Sequence, residues 1–407
     1  MIHMQKNLTN IQFLTNSNFN ESEFLSLSSM VSFDKIALEY LNELSKRINK
    51  IPNVREFPDV ATFGFFCRKA NLTKYKNEQI SKESEIAVGR GVAFHISPSN
   101  VPINFAYSFV CGLLAGNTNI IRVPSKPFKQ IEIICNSINE INSEPEWKFM
   151  SNRNHFVSYD KLSNATEYFS SICDVRIIWG GDNTIENIRK SKLKSRAFDV
   201  AFADRYSLSV IHANEYLNLD NKKSLALGFY NDTYLFDQNA CTAPHLIVWI
   251  GNSEQINDAK ELFWQNLREK VINDYNITSI TGVDKLTNFM TFAATHDTVL
   301  ELDNKDNYIW RVELNKLSSD IDSYRGNCGY FMEYSSADLS IISTISNNKF
   351  QTLSYFGFNK SELREFILNN IPKGIDRIVP IGKTTDFSLN WDGYKLIEHL
   401  SRVLEIK

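Results

Sequence analysis

Cys241 stands in a polar, turn-forming stretch, with Asp237-Gln238-Asn239 before it and Thr242-Ala243-Pro244 after it, directly ahead of the apolar run His245 to Ile250. A thiol at such a loop-to-strand junction is oriented by the strand and reachable by a substrate, which is what a cysteine nucleophile needs. Free cysteines also pack as small buried hydrophobes, and the local context of Cys241 does not separate the two roles. His245 follows four residues later and could favour a thiolate, although a histidine in a strand is more often a hydrogen-bonded structural residue. The same holds for His95 and His212.

Three other loops carry groups with chemical potential. In Ser97-Pro98-Ser99-Asn100-Val101-Pro102 two prolines stiffen a turn around Asn100, whose carboxamide can donate to a developing oxyanion or cap the helix that follows. Arg122-Val123-Pro124-Ser125-Lys126 offers two cations and a hydroxyl ahead of a helix N-terminus, a set that suits a phosphate and is otherwise a pair of solvated side chains. Trp179-Gly180-Gly181-Asp182 lets the backbone approach a ligand closely. It is not a GxGxxG fingerprint, and alone it reads as a tight turn.

These loops need strands and helices to hold them. Apolar runs predict strands at 92–96, 119–123, 174–179, 198–203 and 208–212. Between them lie a buried helix running to Ala115 and closed by Gly116, and a helix from about Pro127. The latter buries Ile131, Ile134, Cys135, Ile138 and Ile141, a spacing that sends Cys135 to the core. A further helix spans 183–190, capped by Asp182 or Asn183. Such alternation predicts a doubly wound parallel sheet with ligands at the carboxyl ends of its strands. A second α/β domain resumes beyond 225, with strands at 246–250, 329–334 and 377–381 and a helix at 256–272. The expected division is therefore 1–225, a helical N-terminal segment and cofactor-binding domain; 226–375, a catalytic domain with Cys241; and 376–407, a segment packing back on the first domain. A terminal helix is expected at 391–404.

Composition narrows the function. With 407 residues and 43% hydrophobic content the chain can build more than one core, and a formal net charge of -3 without a dense Lys/Arg block excludes nucleic acid as the principal partner. Six cysteines lack CxxC spacing or a Cys/His cluster, which argues against zinc and a disulfide framework and for a reducing, cytoplasmic setting. The N-terminus has no signal-peptide core, and the apolar stretch Val101 to Ala115 is shorter than the ~20 residues of a membrane span.

The order SPSNVP, GNTNIIRVPSK, IIWGG, QNAC and a distant WDGY resembles the fatty-acyl-CoA reductases of bacterial bioluminescence, members of the aldehyde dehydrogenase superfamily, from about Gly89 to the C-terminus. The resemblance implies an aldehyde dehydrogenase-like α/β fold, Cys241 as the nucleophile, and Asn100 with the Cys241 backbone N–H as oxyanion donors. Pro98, Asn100 and Pro102 match the superfamily's Pro-Trp-Asn-x-Pro, with Ser99 in place of the tryptophan. Arg122 stands where the superfamily's ribose-contacting lysine would be. With Ser125 and Lys126 near, it favours NADPH, NADH remaining the other candidate. Gly180 and Gly181 complete the expected cofactor loops. Hydrolytic members carry a water-activating glutamate near Phe202; here 197–212 holds no glutamate, and Asp199 and Asp204 are its only carboxylates.

An acyl-thioester reductase follows from this set, with acyl-CoA, an acyl carrier or an acyl-synthetase partner as donor. The alternatives are an acyl-phosphate reductase of the same superfamily and an acyl-transfer module with no redox step. A homo-oligomer is left open.

Overall fold

Residues Val92–Ile96 are buried at every position, as a strand covered on both faces must be, and the segments Thr118–Arg122 and Val175–Trp179 on either side of them are nearly as enclosed. The structure is a computed structural model and describes residues 11–15, 19–78, 84–99 and 101–407. The chain folds into two compact units, Met1–Ala203 with Ser388–Lys407, and Asp204–Phe387.

In the first unit the strands are β1 (Gln12–Phe13), β2 (Glu85–Gly89), β3 (Val92–Ile96), β4 (Thr118–Arg122), β5 (Asn154–Ser158), β6 (Val175–Trp179) and β7 (Phe198–Phe202). The main sheet runs β1-β5-β4-β3-β6-β7, parallel except for β1 at its edge. Strand order reverses direction at β3, so the loops leaving β3 and β6 flank the topological switch point where doubly wound folds bind ligands. The helix Asn104–Leu114 is buried along nearly all its length, as its apolar sequence demanded. It ends at Gly116, whose φ of +92° a side chain would strain and whose Cβ would lie 2.1 Å from the Met30 carbonyl oxygen. The helix Lys129–Asn142 buries Ile134, Cys135, Ile138 and Ile141, as its periodicity predicts.

The second unit contains β8 (Tyr206–His212), β9 (Pro244–Ile250), β10 (Val299–Asp303), β11 (Trp310–Leu314), β12 (Tyr330–Ser336), β13 (Phe350–Phe356) and β14 (Arg377–Pro380). They form a sheet of order β10-β11-β12-β9-β8-β13-β14, parallel apart from β10. Along β9, Leu246, Val248 and Ile250 pack into one core while Ile247 and Trp249 pack into another with Phe263 and Trp264 of the helix Ser253–Asp274. That two-sided burial explains why the strand reads as an unbroken apolar run.

Two expectations change. Because β8 pairs with β9 and β13, residues 204–225 belong to the second unit, and because β14 pairs with β13, the return to the first unit falls at Ser388. The tail is not one helix: β15 (Asn390–Trp391) and β16 (Tyr394–Lys395) form a hairpin, a short helix spans Leu396–Leu400, and β17 (Ser401–Glu405) pairs antiparallel with β2. Asp392 and Gly393, at φ +53° and +76°, make the hairpin turn, a dipeptide signal readable in the sequence. Among the described residues no helix is long and apolar enough to cross a membrane.

Candidate active site

Cys241 lies in the turn that enters β9, at the amino edge of the second sheet rather than at a carboxyl end. It is half-buried, like Cys328, whereas Cys67, Cys111, Cys135 and Cys173 are buried. Burial pushes the Cys135 thiol up to about 12, which makes a core thiol of this kind inert at neutral pH.

Gln238 sets the shape of this turn. Its Nε2 donates to the carbonyls of Pro244 and Tyr330, both at 3.0 Å. Its Oε1 accepts the N–H groups of Gly329 at 2.9 Å and Tyr330 at 3.2 Å. One buried carboxamide thus ties the approach to β9 onto the start of β12. These bonds offset the cost of two left-handed residues in succession, Asp237 at φ +51° and Gln238 at φ +60°. Asp237 is fastened further: its carboxylate accepts the Tyr275 hydroxyl at 2.6 Å, and its carbonyl accepts the Cys328 N–H at 3.1 Å. On the other side, the Ser207 hydroxyl donates to the Cys241 carbonyl at 2.7 Å and accepts the Thr352 N–H at 3.2 Å. The turn is built to hold a backbone in place, the condition for a preorganised nucleophile. Neither Gln238 nor Ser207 stood out in the sequence; the QNAC run was the available signal for the first.

His245 does not supply the charge expected of it. It sits inside β9, buried, with Nδ1 at 3.0 Å from the Gly326 carbonyl, so this nitrogen carries the proton and donates. The ring stacks on Tyr206 at 5.7 Å between centroids. Desolvation, reinforced by the nearby Arg325 charge, pushes its pKa down to about 3, leaving a neutral imidazole. His95 is likewise structural: buried in β3, it contacts Ser108 Oγ at 2.7 Å and Asn119 Oδ1 at 3.1 Å, and burial pushes it down to about 4.

Both carboxylates of the stretch without glutamate are engaged. Asp199 receives Arg176 at 2.7 Å and 3.1 Å and Arg189 at 3.3 Å. Asp204 receives both of its bonds from Arg325, at 2.6 Å and 2.8 Å. Phe202 stacks face to face on Trp179, centroids 3.6 Å apart. Arginine N–H groups thus occupy both carboxylates, and the Phe202 side chain offers no proton acceptor.

The first unit places the remaining loops at carboxyl ends of neighbouring strands. Ser97 follows β3; Asn100 lies outside the described residues. Arg122 ends β4 half-buried, its guanidinium 4.7 Å over the Tyr159 ring, and Ser125 and Lys126 beyond it are exposed. Gly180 follows β6, and its N–H donates to the Phe202 carbonyl at 3.2 Å. The helix Asp182–Arg189 has Gly181 at its N-terminal cap position, not Asp182 or Asn183. No side chain caps it, and a Cβ on Gly181 would meet nothing within 4 Å.

The chain has an aldehyde dehydrogenase-like α/β fold. The fold matches an NAD-dependent benzaldehyde dehydrogenase of Corynebacterium glutamicum over 94% of this chain and 86% of that one, with TM-score 0.62 and 12% identity. An NAD-dependent aldehyde dehydrogenase of Sinorhizobium meliloti matches over 95% and 84%, with TM-score 0.64 and 11% identity. Within that class the chain belongs to the LuxC acyl-CoA reductase family, whose model matches residues 11–403, in agreement with the resemblance carried by the ordered motifs. The long-chain acyl-protein thioester reductase of Aliivibrio fischeri is 25% identical over 305 residues, 73% of this chain and 60% of that protein. The chain therefore aligns with about three-fifths of the length of that curated relative.

Proposed function

We propose that this protein reduces an acyl thioester to the aldehyde through an acyl-enzyme on Cys241. One observation carries the reading: in a chain of the LuxC acyl-CoA reductase family, the half-buried Cys241 stands on a turn whose backbone is held by Gln238 and Ser207. The Cys241 sulfur attacks the acyl carbonyl and forms a C–S bond. The Cys241 N–H takes the oxyanion, with Asn100 as the second donor that the family resemblance implies, and its collapse breaks the bond to the donor sulfur, which leaves as a thiol once protonated. Bound reduced nicotinamide supplies the hydride for the second stage. The C–S bond of the resulting thiohemiacetal then breaks, freeing aldehyde and returning the thiol.

For the cofactor, the fitting residues are Arg122, Ser125 and Lys126 beyond β4, and Gly180 and Gly181 beyond β6. An uncapped helix start with open space at Gly181 suits an anionic group, and the Arg122 guanidinium suits a 2'-phosphate, which favours NADPH over NADH. The name of the Aliivibrio relative favours a protein-bound acyl thioester as donor, with acyl-CoA as the small-molecule equivalent. Incubation with a long-chain acyl thioester, followed by NADPH or NADH, tests the whole sequence. Aldehyde should form in the wild type and in neither case with Cys241→Ser, and Arg122→Ala should raise the KM for NADPH more than that for NADH. Full activity in Cys241→Ser would remove the proposal.

A further inference from the structure

Beneath the helix Asn104–Leu114 the first sheet encloses a row of polar side chains that the chemistry at Cys241 leaves unexplained. His95 of β3, Asn119 of β4 and Asn154 of β5 are buried, as are Ser108 of the helix and Trp179 of β6. Strand register puts them on one face of the sheet: Asn119 pairs with Asn154 and Ala93, His95 pairs with Ile177, and side chains alternate along each strand. Hydrogen bonds join them in a chain across the four neighbouring strands β5, β4, β3 and β6. The Trp179 indole Nε1 donates to Ser108 Oγ at 3.0 Å, and that oxygen lies 2.7 Å from His95 Nδ1. His95 Nε2 lies 3.1 Å from Asn119 Oδ1, and Asn119 Nδ2 donates to Asn154 Oδ1 at 2.8 Å. Asn154 Nδ2 ends the chain on the Met150 carbonyl at 2.9 Å.

The two ends fix the direction of every link. A carbonyl only accepts, so Asn154 turns its nitrogen to Met150 and its oxygen to Asn119. Asn119 also donates to the Asn117 carbonyl at 3.1 Å, which leaves its oxygen to accept a proton carried by His95 Nε2. Burial keeps the imidazole neutral, so Nδ1 accepts from the Ser108 hydroxyl, and the Ser108 oxygen accepts from the indole, which only donates. All five bonds run the same way, and each polarises the next. Gly112, one turn beyond Ser108, makes the approach possible: a Cβ there would lie 2.1 Å from Asn119 Oδ1 and 2.7 Å from His95 Nε2.

The chain terminates beside a cofactor loop. Trp179 is the last residue of β6, pairs in register with Phe202 and stacks flat on its ring, and the next residue, Gly180, donates its N–H to the Phe202 carbonyl. Resting on the assignment of Gly180 and Gly181 to the nicotinamide cofactor, we infer that Trp179 is a positioning residue for that loop, its indole set by the Ser108–His95–Asn119–Asn154 chain. The polar chain holds the indole edge and the ring stack ties β6 to β7, so the two glycines leave the sheet from a fixed point.

The test is a double-mutant cycle on the affinity for NADPH and NADH, measured by calorimetry on the full chain, with folding followed by circular dichroism. Ser108→Ala removes the link between His95 and the indole; Trp179→Phe keeps a ring against Phe202 and removes the indole N–H. Each should raise the Kd roughly fivefold or more, and Ser108→Ala should add nothing further in the Trp179→Phe background, because its effect passes through the indole. A purely structural chain would lower the unfolding midpoint and leave the Kd where it is. Should Ser108→Ala fail to fold, Ser108→Cys keeps a weak donor and acceptor at the same place and enters the cycle instead, with the same rise expected. A Kd unmoved in either folded single variant, or two effects that multiply in the double variant, overturns the inference. Wild-type protein that binds neither nucleotide overturns the cofactor reading and this role with it; nucleotide binding that is unmoved in the variants overturns the role of Trp179 alone.

Discussion

Gln238→Ala should loosen the turn that carries Cys241 and destabilise the second unit together. The side chain makes four hydrogen bonds, two donated to the Pro244 and Tyr330 carbonyls and two accepted from the Gly329 and Tyr330 amides, all in buried surroundings. At about 1 kcal/mol net for each, truncation costs on the order of 4 kcal/mol, and more where a backbone group is left without a partner. Gln238→Glu sharpens the test. It keeps an acceptor for the two amides but places oxygen against the two carbonyls, so nearly the same volume should be at least as destabilising as alanine. Urea unfolding followed by tryptophan fluorescence measures the loss, because Trp249, Trp264 and Trp310 lie within this unit. Acyl labelling of Cys241 under native conditions should slow, since the turn no longer sits on the start of β12. A loss of less than about 1 kcal/mol in both variants, with labelling unchanged, would refute the account of how the turn is held.

Burial keeps His245 neutral with a folded pKa near 3, below its unfolded value of 6.5, so its contribution to stability is present above pH 6.5 and is lost as pH falls toward 3. His245→Asn should therefore flatten the acid limb of the stability profile by up to about 1.4 kcal/mol per pH unit, while the pH midpoint of Cys241 alkylation stays where it is. Asp232 titrates in the opposite sense: burial raises it from 3.8 to about 6, so its stabilising contribution is complete below pH 3.8 and disappears as pH rises through about 6. Against Asp232→Asn, the wild type should lose about 3 kcal/mol of relative stability across that window, measured by denaturant titration at several pH values. Glu333 accepts both indole N–H groups of Trp249 and Trp264 and pairs with Arg311 at 2.7 Å, all around one buried carboxylate. Glu333→Gln should cost about 3–5 kcal/mol by leaving Arg311 without its main counter-charge, seen as a lower Tm and a shift in tryptophan emission.

The sequence shows some of these features and hides others for physical reasons. Strands β3, β4 and β6 are short, doubly buried and bounded by Pro or Gly, so their residues and the loops after them could be read directly. The place of Cys241 in a turn ahead of a strand was legible because polar turn residues meet the apolar run of β9. The unit boundary was not, since β8 looks like one more strand of the first series and only its pairing with β9 and β13 assigns it to the second sheet. Asp392-Gly393 does carry a hairpin signal, but the apolar spacing around Leu396 and Leu400 imitates a helix face.

Mass spectrometry of the protein after incubation with a long-chain acyl thioester tests the central claim most directly. The account predicts one acyl group on the peptide that contains Cys241, stable in water and released as aldehyde when reduced nicotinamide is added. Acyl label on another residue, label that persists in Cys241→Ser, or release as the free acid without cofactor would contradict it.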